Sequence, residues 1–416
     1  MTETVKDPSV YPTLRNLQYS PLKQGEEQYI VLWDPTGLSS EKLVIPLSMF
    51  YVFQFFDGEH SLDQVGGEYL KKYGEFLLPD RLQRLVADLE DKLFLEGDRC
   101  DQAKALAIET FRNAPTRPSV FAGKSYEAEA EKLSQQLDGF FSSKEGPDKT
   151  PSEHAGQRIK GVIAPSFDLK EAGPLYAWTY KELQEAETPS VFVLLGTCHA
   201  GLEGGIAVTG KDFETPLGVV PVNQSILNAF RSNGGESFFT EELAHAQEHS
   251  IEFQLPFLQH TIGRQKPISI VPILCAFPPD CLADKSLKEL FDRVDTFLSL
   301  FKQAVAASGE EICVIASGEL AHIGLRYGDR TLPTDFSFHR CMQTDLEMLK
   351  HVENLEPEAF AEFILKEGNA RRISGFSTMF TMLKLIQAEK GQVLRYDRGI
   401  TDQFNSTVTY ASIAFY

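Results

Sequence analysis

Apolar positions fall into two regimes along the chain, and the change between them comes near Ile159. Before it the runs are short and mixed. Tyr29 to Trp33 (YIVLW) and Leu43 to Ile45 read as strands, and an aromatic run ends at Phe55-Phe56-Asp57-Gly58, a turn signal. Pro79 opens a segment in which Leu82, Leu85, Val86, Leu89 and Leu93 recur at helical spacing while Asp88, Glu90 and Asp91 face elsewhere. That spacing predicts an amphipathic helix closing a small α+β unit near Leu95. From Ile159 onward, IKGVIA, SVFVLLG, ISIVPIL, EICVIASG, QVLRYD and TVTYASIAFY alternate with helical segments. Such alternation predicts an α/β domain with helices on both faces of a sheet. Val191 to Leu195 and Cys313 to Ala316 are almost continuously apolar, as strands buried on both faces must be, and are expected at its centre.

Between the two regimes the pattern weakens. Residues 96–118 are polar and end in Pro115 and Pro118, which suits a linker. The expected division is a small domain over 1–98, a linker over 99–118 and the larger domain over 119–416. Within the latter, Ser125 to Phe141 carries Leu133, Leu137 and Phe141 on one helical stripe. The following residues 142–158 lack any apolar period and read as a mobile loop.

Composition narrows the function. A chain of 416 residues with 42% apolar side chains buries a large core and exceeds what one core usually serves. A formal charge of −19 repels nucleic acid and anionic membrane surfaces, so neither is expected as a partner. The N-terminus has no basic start or apolar stretch resembling a signal peptide, and no apolar run is long enough to span a bilayer, so a cytoplasmic protein is expected. Six cysteines without any C-x-x-C spacing read as reduced, buried thiols.

Polar residues gather where the predicted strands end, which is where ligands of such sheets bind. Pro165-Ser166 follows the first strand of the larger domain, Cys198-His199 the second, and Glu319 through His322 the strand at 313–316. Glu248-His249-Ser250-Ile251-Glu252 starts a helix and places His249 and Glu252 three residues apart on one face, a spacing that Glu319 and His322 repeat in reverse. Imidazole with carboxylate is a set that divalent metals bind. Each histidine taken alone is better explained as a polar residue satisfied at a loop or helix start, and it is the gathering of three at predicted strand or helix ends that favours a site. Cys198 is a poor candidate nucleophile, because adjacent residues on extended chain point oppositely and His199 cannot easily activate it. His60, His154, His245, His260, His339 and His351 are expected to be solvated. No G-x-S-x-G, P-loop or G-x-G-x-x-G is present.

Taken in order, VFAGKSYEAEAEKL, VIAPS, LLGTCH, FETPLG, EHSIEFQLPFLQ, IVPIL, VIASGELAHIG, RRISGF and VTYASIAF resemble the Memo family, also called AmmeMemoRadiSam system protein B, over Arg117 to Tyr416. The resemblance implies a mixed central sheet similar to class III extradiol dioxygenases, which use non-haem iron. It implies three metal-ligand positions, an A-P-H histidine, the histidine of a G-x-x-H loop and the cysteine of an I-C-G motif. Here these are Ser166, His199 and Ser374, so only His199 of the triad is a metal ligand by type. His322 matches the catalytic base of the dioxygenases, His249 lies in the E-H-S-I-E motif as a second catalytic candidate, and Glu319 takes an acidic position. The expectation is a polar pocket of Ser166, His199, His249, Glu252, Glu319, His322 and Ser374 with a degenerate metal site and no cofactor, in a binding or scaffolding protein. The alternative is a dioxygenase-like enzyme holding iron, copper or zinc through a shifted set drawn from His199, His249, His322 and Glu319 or Glu252. The family name also associates AMMECR-type and radical S-adenosylmethionine proteins as partners. The first hundred residues, through FFDGEHSLDQV and LQRLVADLEDKLFLEG, resemble small PqqD-like domains, which present substrates or partners; a winged-helix module is the other reading.

Overall fold

The computed structural model describes residues 10–25, 27–148 and 151–416. The chain forms two compact units, one ending at Ala114 and the other running from Pro115 to Tyr416, and each has its own hydrophobic core. In the first unit, β1 (Gln18–Gln24), β2 (Glu27–Trp33) and β3 (Lys42–Pro46) form an antiparallel sheet in the order β1-β2-β3. Ile30, Leu32 and Ile45 turn inward from it, as period-two alternation requires. A helix over Leu62–Tyr73 starts at a capping box between Ser61 and Gln64, and ends at Gly74, whose φ of 71° is a left-handed cap that favours glycine. The expected helix runs over Pro79–Asp91 with proline in its first turn and buries Leu82, Val86 and Leu89.

The stretch read as a linker is instead a helix over Asp98–Asn113. Its charged residues disguise good helix formers, Ala103, Ala105 and Ala107 among them, and only Cys100 and Phe111 are buried, so the apolar stripe is too thin to read. The larger unit correspondingly begins before residue 119: Arg117 is a fully buried part of it.

Eleven more strands follow in the second unit: β4 (Thr116–Arg117), β5 (Gly161–Ala164), β6 (Val191–Thr197), β7 (Ile206–Val208), β8 (Asp212–Thr215), β9 (Gly218–Val220), β10 (Ser269–Cys275), β11 (Ile312–Ser317), β12 (His322–Ile323), β13 (Gly391–Ile400) and β14 (Thr407–Phe415). The main sheet has the order β12-β14-β5-β11-β6-β10-β7, with β13 also paired to β14, and β4-β8-β9 forms a small separate sheet. Its centre is parallel, β5-β11-β6-β10, while β7, β12, β13 and β14 join antiparallel. The two apolar runs expected at the centre are β6 and β11. All six cysteines are buried and free.

Helices cover both faces. Gly196 in β6 backs onto Ser250 and Ile251, whereas Cys275, the register partner of its neighbour Thr197, contacts Thr381 of the helix Phe376–Leu385. Adjacent strand residues point oppositely, so these helices lie on opposite faces. The segment read as a mobile loop is pinned where it is described; residues 149 and 150 lie outside the described residues. Ser152 N–H donates to Glu185 at 2.6 Å, and the His154 ring packs tilted against Tyr416 at 4.3 Å while its Nε2 meets Gln392 Oε1 at 2.7 Å. Its anchors are polar and distant in sequence, which an apolar-period argument cannot detect.

Candidate functional site

β5, β11 and β6 are parallel neighbours, so their carboxyl ends share one edge, and the loops leaving that edge carry Ser166, Glu319 and His199. A fourth element, the single helical turn His249–Glu252, is clamped to the same edge. Ser250 Oγ donates to the Thr197 carbonyl at 2.9 Å, and a Cβ on Gly196 would lie 2.5 Å from that hydroxyl, so only glycine admits the approach. Gln254 Nε2 donates to the Pro165 carbonyl at 2.8 Å and to Ser317 Oγ at 2.7 Å, fastening the first and third loops together.

Glu248 organises what these elements deliver. As the N-cap of the turn, its Oε1 accepts from His249 N–H at 2.8 Å and Ser250 N–H at 3.0 Å. The same carboxylate accepts from His199 N–H at 2.7 Å and lies 3.0 Å from His199 Nδ1 and 3.1 Å from His249 Nδ1. The two imidazoles stack at 4.5 Å. With its Nδ1 held, His199 turns Nε2 toward Glu319 Oε2 at 3.9 Å, and that oxygen lies 3.2 Å from His322 Nε2. His249, Glu248, His199, Glu319 and His322 thus form an alternating array of imidazole and carboxylate.

Charge in the array is uneven. Burial works against a charged His199, but the Glu248 carboxylate, with Glu319 beyond it, outweighs burial and lifts its pKa to about 10. Burial also opposes ionisation of Glu248 and Glu319, yet the surrounding imidazoles and their hydrogen bonds hold both carboxyls well below the usual range. His249 goes the other way: burial, reinforced by the charge on His199, lowers it. The Cys198 thiol is pushed up by burial and by Glu248, the opposite of what an activated nucleophile needs.

Of the two expected serines, Ser374 sits on a loop packed against this array, and Ser166 follows Ala164 and Pro165, whose carbonyls accept from Gly318 N–H at 3.1 Å and Gln254 Nε2 at 2.8 Å. Gly375 N–H donates to the Glu319 carbonyl at 2.8 Å and His322 N–H to the Arg371 carbonyl at 2.7 Å, so the loop carrying Ser374 lies directly on the loop carrying Glu319 and His322. Between them Arg372, in the left-handed region at φ 54°, donates to the His322 carbonyl at 3.1 Å and pairs with Asp329 at 2.8 Å. Ser166 Oγ and Ser374 Oγ are buried and have no hydrogen-bond partner, the only hydroxyls of which this is true among the described residues.

Glu252, expected to line the pocket, does other work. It is fully buried and accepts from Arg117, Tyr126 and the backbone N–H groups of Val120 and Phe121 (3.1 and 2.8 Å), so it anchors the segment 117–126. His249 and Glu252 are expected on one helix face, but the carboxylate that meets His249 is Glu248. That role was readable, since an acidic residue just before a helix start is a natural N-cap acceptor. His245, expected to be solvated, is buried with Nε2 3.1 Å from the Ala207 carbonyl oxygen, and burial lowers its pKa to about 3.

The arrangement is that of an α/β protein with a histidine–carboxylate array at the carboxyl ends of a mixed sheet, its carboxylates buried and its imidazoles half-buried. The profile of the Memo-like protein family matches residues 117–414, and the chain belongs to that family. Among relatives, a MEMO1 family protein of Aquifex aeolicus is 24% identical over 391 residues, covering 93% of this chain and 96% of its own length, so the likeness extends into the N-terminal unit. A MEMO1 family protein of Thermotoga maritima is 30% identical over 65% of this chain and 87% of its own. One from Methanopyrus kandleri is 28% identical over 72% of this chain and 98% of its own.

The metal that the family resemblance implies is a poor fit to this chain. Its three positions hold one imidazole and two neutral hydroxyls, and an aliphatic hydroxyl is a weak ligand for iron, copper or zinc.

Proposed function

We propose that the pocket binds a small, hydrogen-bonding polar ligand, or a partner's polar side chain, and that the chain is a binding or scaffolding protein of the cytoplasm rather than a metal-dependent enzyme. One observation carries this reading: Ser166 and Ser374, at two positions where the resemblance implies metal ligands, bury hydroxyls that nothing among the described residues satisfies. A buried polar group without a partner costs about 1–3 kcal/mol, and a ligand that supplies the partner recovers it. The test is elemental analysis of protein purified without chelators. Less than a tenth of an equivalent of iron, copper or zinc is expected (an on-the-order-of threshold for a site lacking two of its three ligands); a full equivalent that disappears in His199→Ala overturns the proposal. The converse experiment restores the ligands: Ser166→His with Ser374→Cys is expected to gain transition-metal binding that the natural chain lacks.

A second reading, a metal enzyme with a shifted site, has a specific observation in its favour. His199, Glu248 and His249 each offer a ligand atom, all within 4.8 Å of one another. Against it, Glu248 Oε1 already accepts two backbone N–H groups that cap the turn, so a metal there would compete with the bonds that position the site. Loss of bound metal in Glu248→Gln, with His249→Ala behaving alike, is the result this reading requires.

The same proposal gives the N-terminal unit a partner-recruiting role. It is supported by the large apolar side chains exposed close together in sequence at Leu70, Tyr73, Phe76 and Leu78, and by the net charge of −19, which disfavours the winged-helix, DNA-binding alternative. By family association, AMMECR-type and radical S-adenosylmethionine proteins are the first partners to try.

A further inference from the structure

We propose that a second cleft, separate from the polar pocket, binds a small amphipathic carboxylate, its acid group on Arg340 and its apolar body against Leu332, Pro333 and Phe336. The cleft has a volume of about 450 Å³ and is walled by Ile323, Leu332, Pro333, Phe336, Arg340 and Cys341. That size falls within the range of small-molecule sites, which are mostly apolar with a few polar groups to fix orientation.

Its rim carries two strongly exposed apolar side chains. Phe336 is 79% exposed, more than any other large apolar side chain among the described residues, and Leu332 is 54% exposed. Both stand at the start of the helix Asp335–Glu353, whose face presents Phe336 and Arg340 four residues apart. Apolar groups left in water at the mouth of a concave, apolar cleft are what a ligand with an apolar body would cover.

The charges of the cleft select the other end of the ligand. Arg371 is spent on Asp345 and Glu367, which it meets at 2.7 Å through Nη2. Asp329 is spent on Arg372 at 2.8 Å and on Gly324 N–H at 2.7 Å. Each of these groups has its counter-charge within the chain. Arg340 has none: among the described residues its guanidinium makes no ion pair or hydrogen bond, in a chain with 59 acidic side chains to 40 basic. One unpaired, fork-shaped cation over apolar walls is complementary to a carboxylate on a hydrocarbon or aryl group, and not to an amine or a sugar.

The cleft is also next to the polar pocket without being part of it. Ile323 follows His322, and Ala370 and Arg371 lead into the loop of Ser374. Ile323 of β12 and residues 370–371 line the cleft, while their chain neighbours His322 and Ser374 belong to the polar site.

The test is calorimetric titration of the full chain with octanoate, octanol and octylamine. Octanoate is expected to bind once per chain, octanol more weakly, and octylamine not at all. Because Phe336 and Arg340 are exposed, their substitution leaves the core intact, which circular dichroism checks. Arg340→Glu is expected to weaken octanoate by about tenfold or more, the scale of a lost charge-assisted hydrogen bond, and Phe336→Asp to remove detectable binding, while His199→Ala keeps the wild-type affinity. The proposal is overturned by absence of octanoate binding, by octylamine binding as tightly, or by both cleft variants behaving as wild type. Loss of octanoate binding in His199→Ala also overturns it, by moving the carboxylate to the polar pocket.

Discussion

Glu248 holds one imidazole charged and sits beside another that burial keeps neutral, and the difference is testable at a single residue. In Glu248→Gln the anion is gone while the shape remains, so His199 should titrate well below its value of about 10, toward the ordinary histidine value near 6.5. Proton NMR of the imidazole over a pH series reads this directly; an unmoved titration would mean that Glu319 alone charges His199. Stability follows with a definite sign. The folded pKa of His199 lies above its unfolded value, so its contribution is complete below about pH 6.5 and is lost as pH rises toward about 10. Glu248 and Glu319 are depressed, so theirs is present above the ordinary glutamate value near 4.5 and lost as pH falls through their folded values. Urea unfolding of the metal-free chain is therefore expected to weaken between pH 6.5 and 10, and Glu248→Gln to flatten that slope.

At the same scale, His199, Glu319 and His322 were legible because each follows an almost continuously apolar strand, which fixes where the chain turns and polar groups collect. Glu248 was not. The i, i+3 rule put Glu252 on the face of His249, but the helix there is one turn long, too short for face-sharing to outrank the cap. The orphaned hydroxyls of Ser166 and Ser374 could be located by motif but not foreseen as unpartnered, since satisfaction depends on side chains from several loops.

Elements hold the array in place through two close fits. The turn His249–Glu252 lies against Gly196, and Gly196→Ala would press its Cβ into Ser250 Oγ and Ile251. A cost of about 1–3 kcal/mol is expected from such overpacking, with a displaced turn and a weakened link from Glu248 to His199 that the same NMR titration detects. The second fit is a buried knot on the helix Asp335–Glu353. Asp345 accepts from Arg371, from Tyr396 OH at 2.7 Å and from Thr409 Oγ1 at 2.6 Å, and Thr409 Oγ1 accepts from Ala321 N–H at 2.9 Å in the loop of Glu319 and His322. Asp345→Ala strands the Arg371 cation with only Glu367, so a loss of about 3 kcal/mol by urea denaturation is expected; less than 1 kcal/mol would mean that Glu367 suffices. Elements were readable in proportion to their apolar signal. β6 and β11 are unmistakable, whereas β1, a sheet edge of sequence QYSPLKQ with no fully buried residue, and the alanine-containing helix Asp98–Asn113 carry little of it.

For the whole molecule, two separate cores argue for two folding units, and the boundary has a physical marker. Arg117, three residues past Ala114, is fully buried and donates to Glu252, to the Glu248 carbonyl at 2.8 Å and to the His245 carbonyl at 3.0 Å. It ties the start of the second unit to the backbone that leads into the turn of His249. A chain beginning at Pro115 keeps that tie, and one beginning at residue 119 loses it. The first is expected to fold, to unfold in one cooperative transition, and to retain the raised titration of His199. The second removes a buried cation from Glu252 and leaves the Glu248 carbonyl without its donor, a loss of about 3–5 kcal/mol for the broken pair. Comparing the two by thermal denaturation decides where the unit begins: a large drop in midpoint for the shorter chain fits a domain that starts at Pro115, and equal midpoints would make Arg117 dispensable and the boundary at residue 119 the correct one.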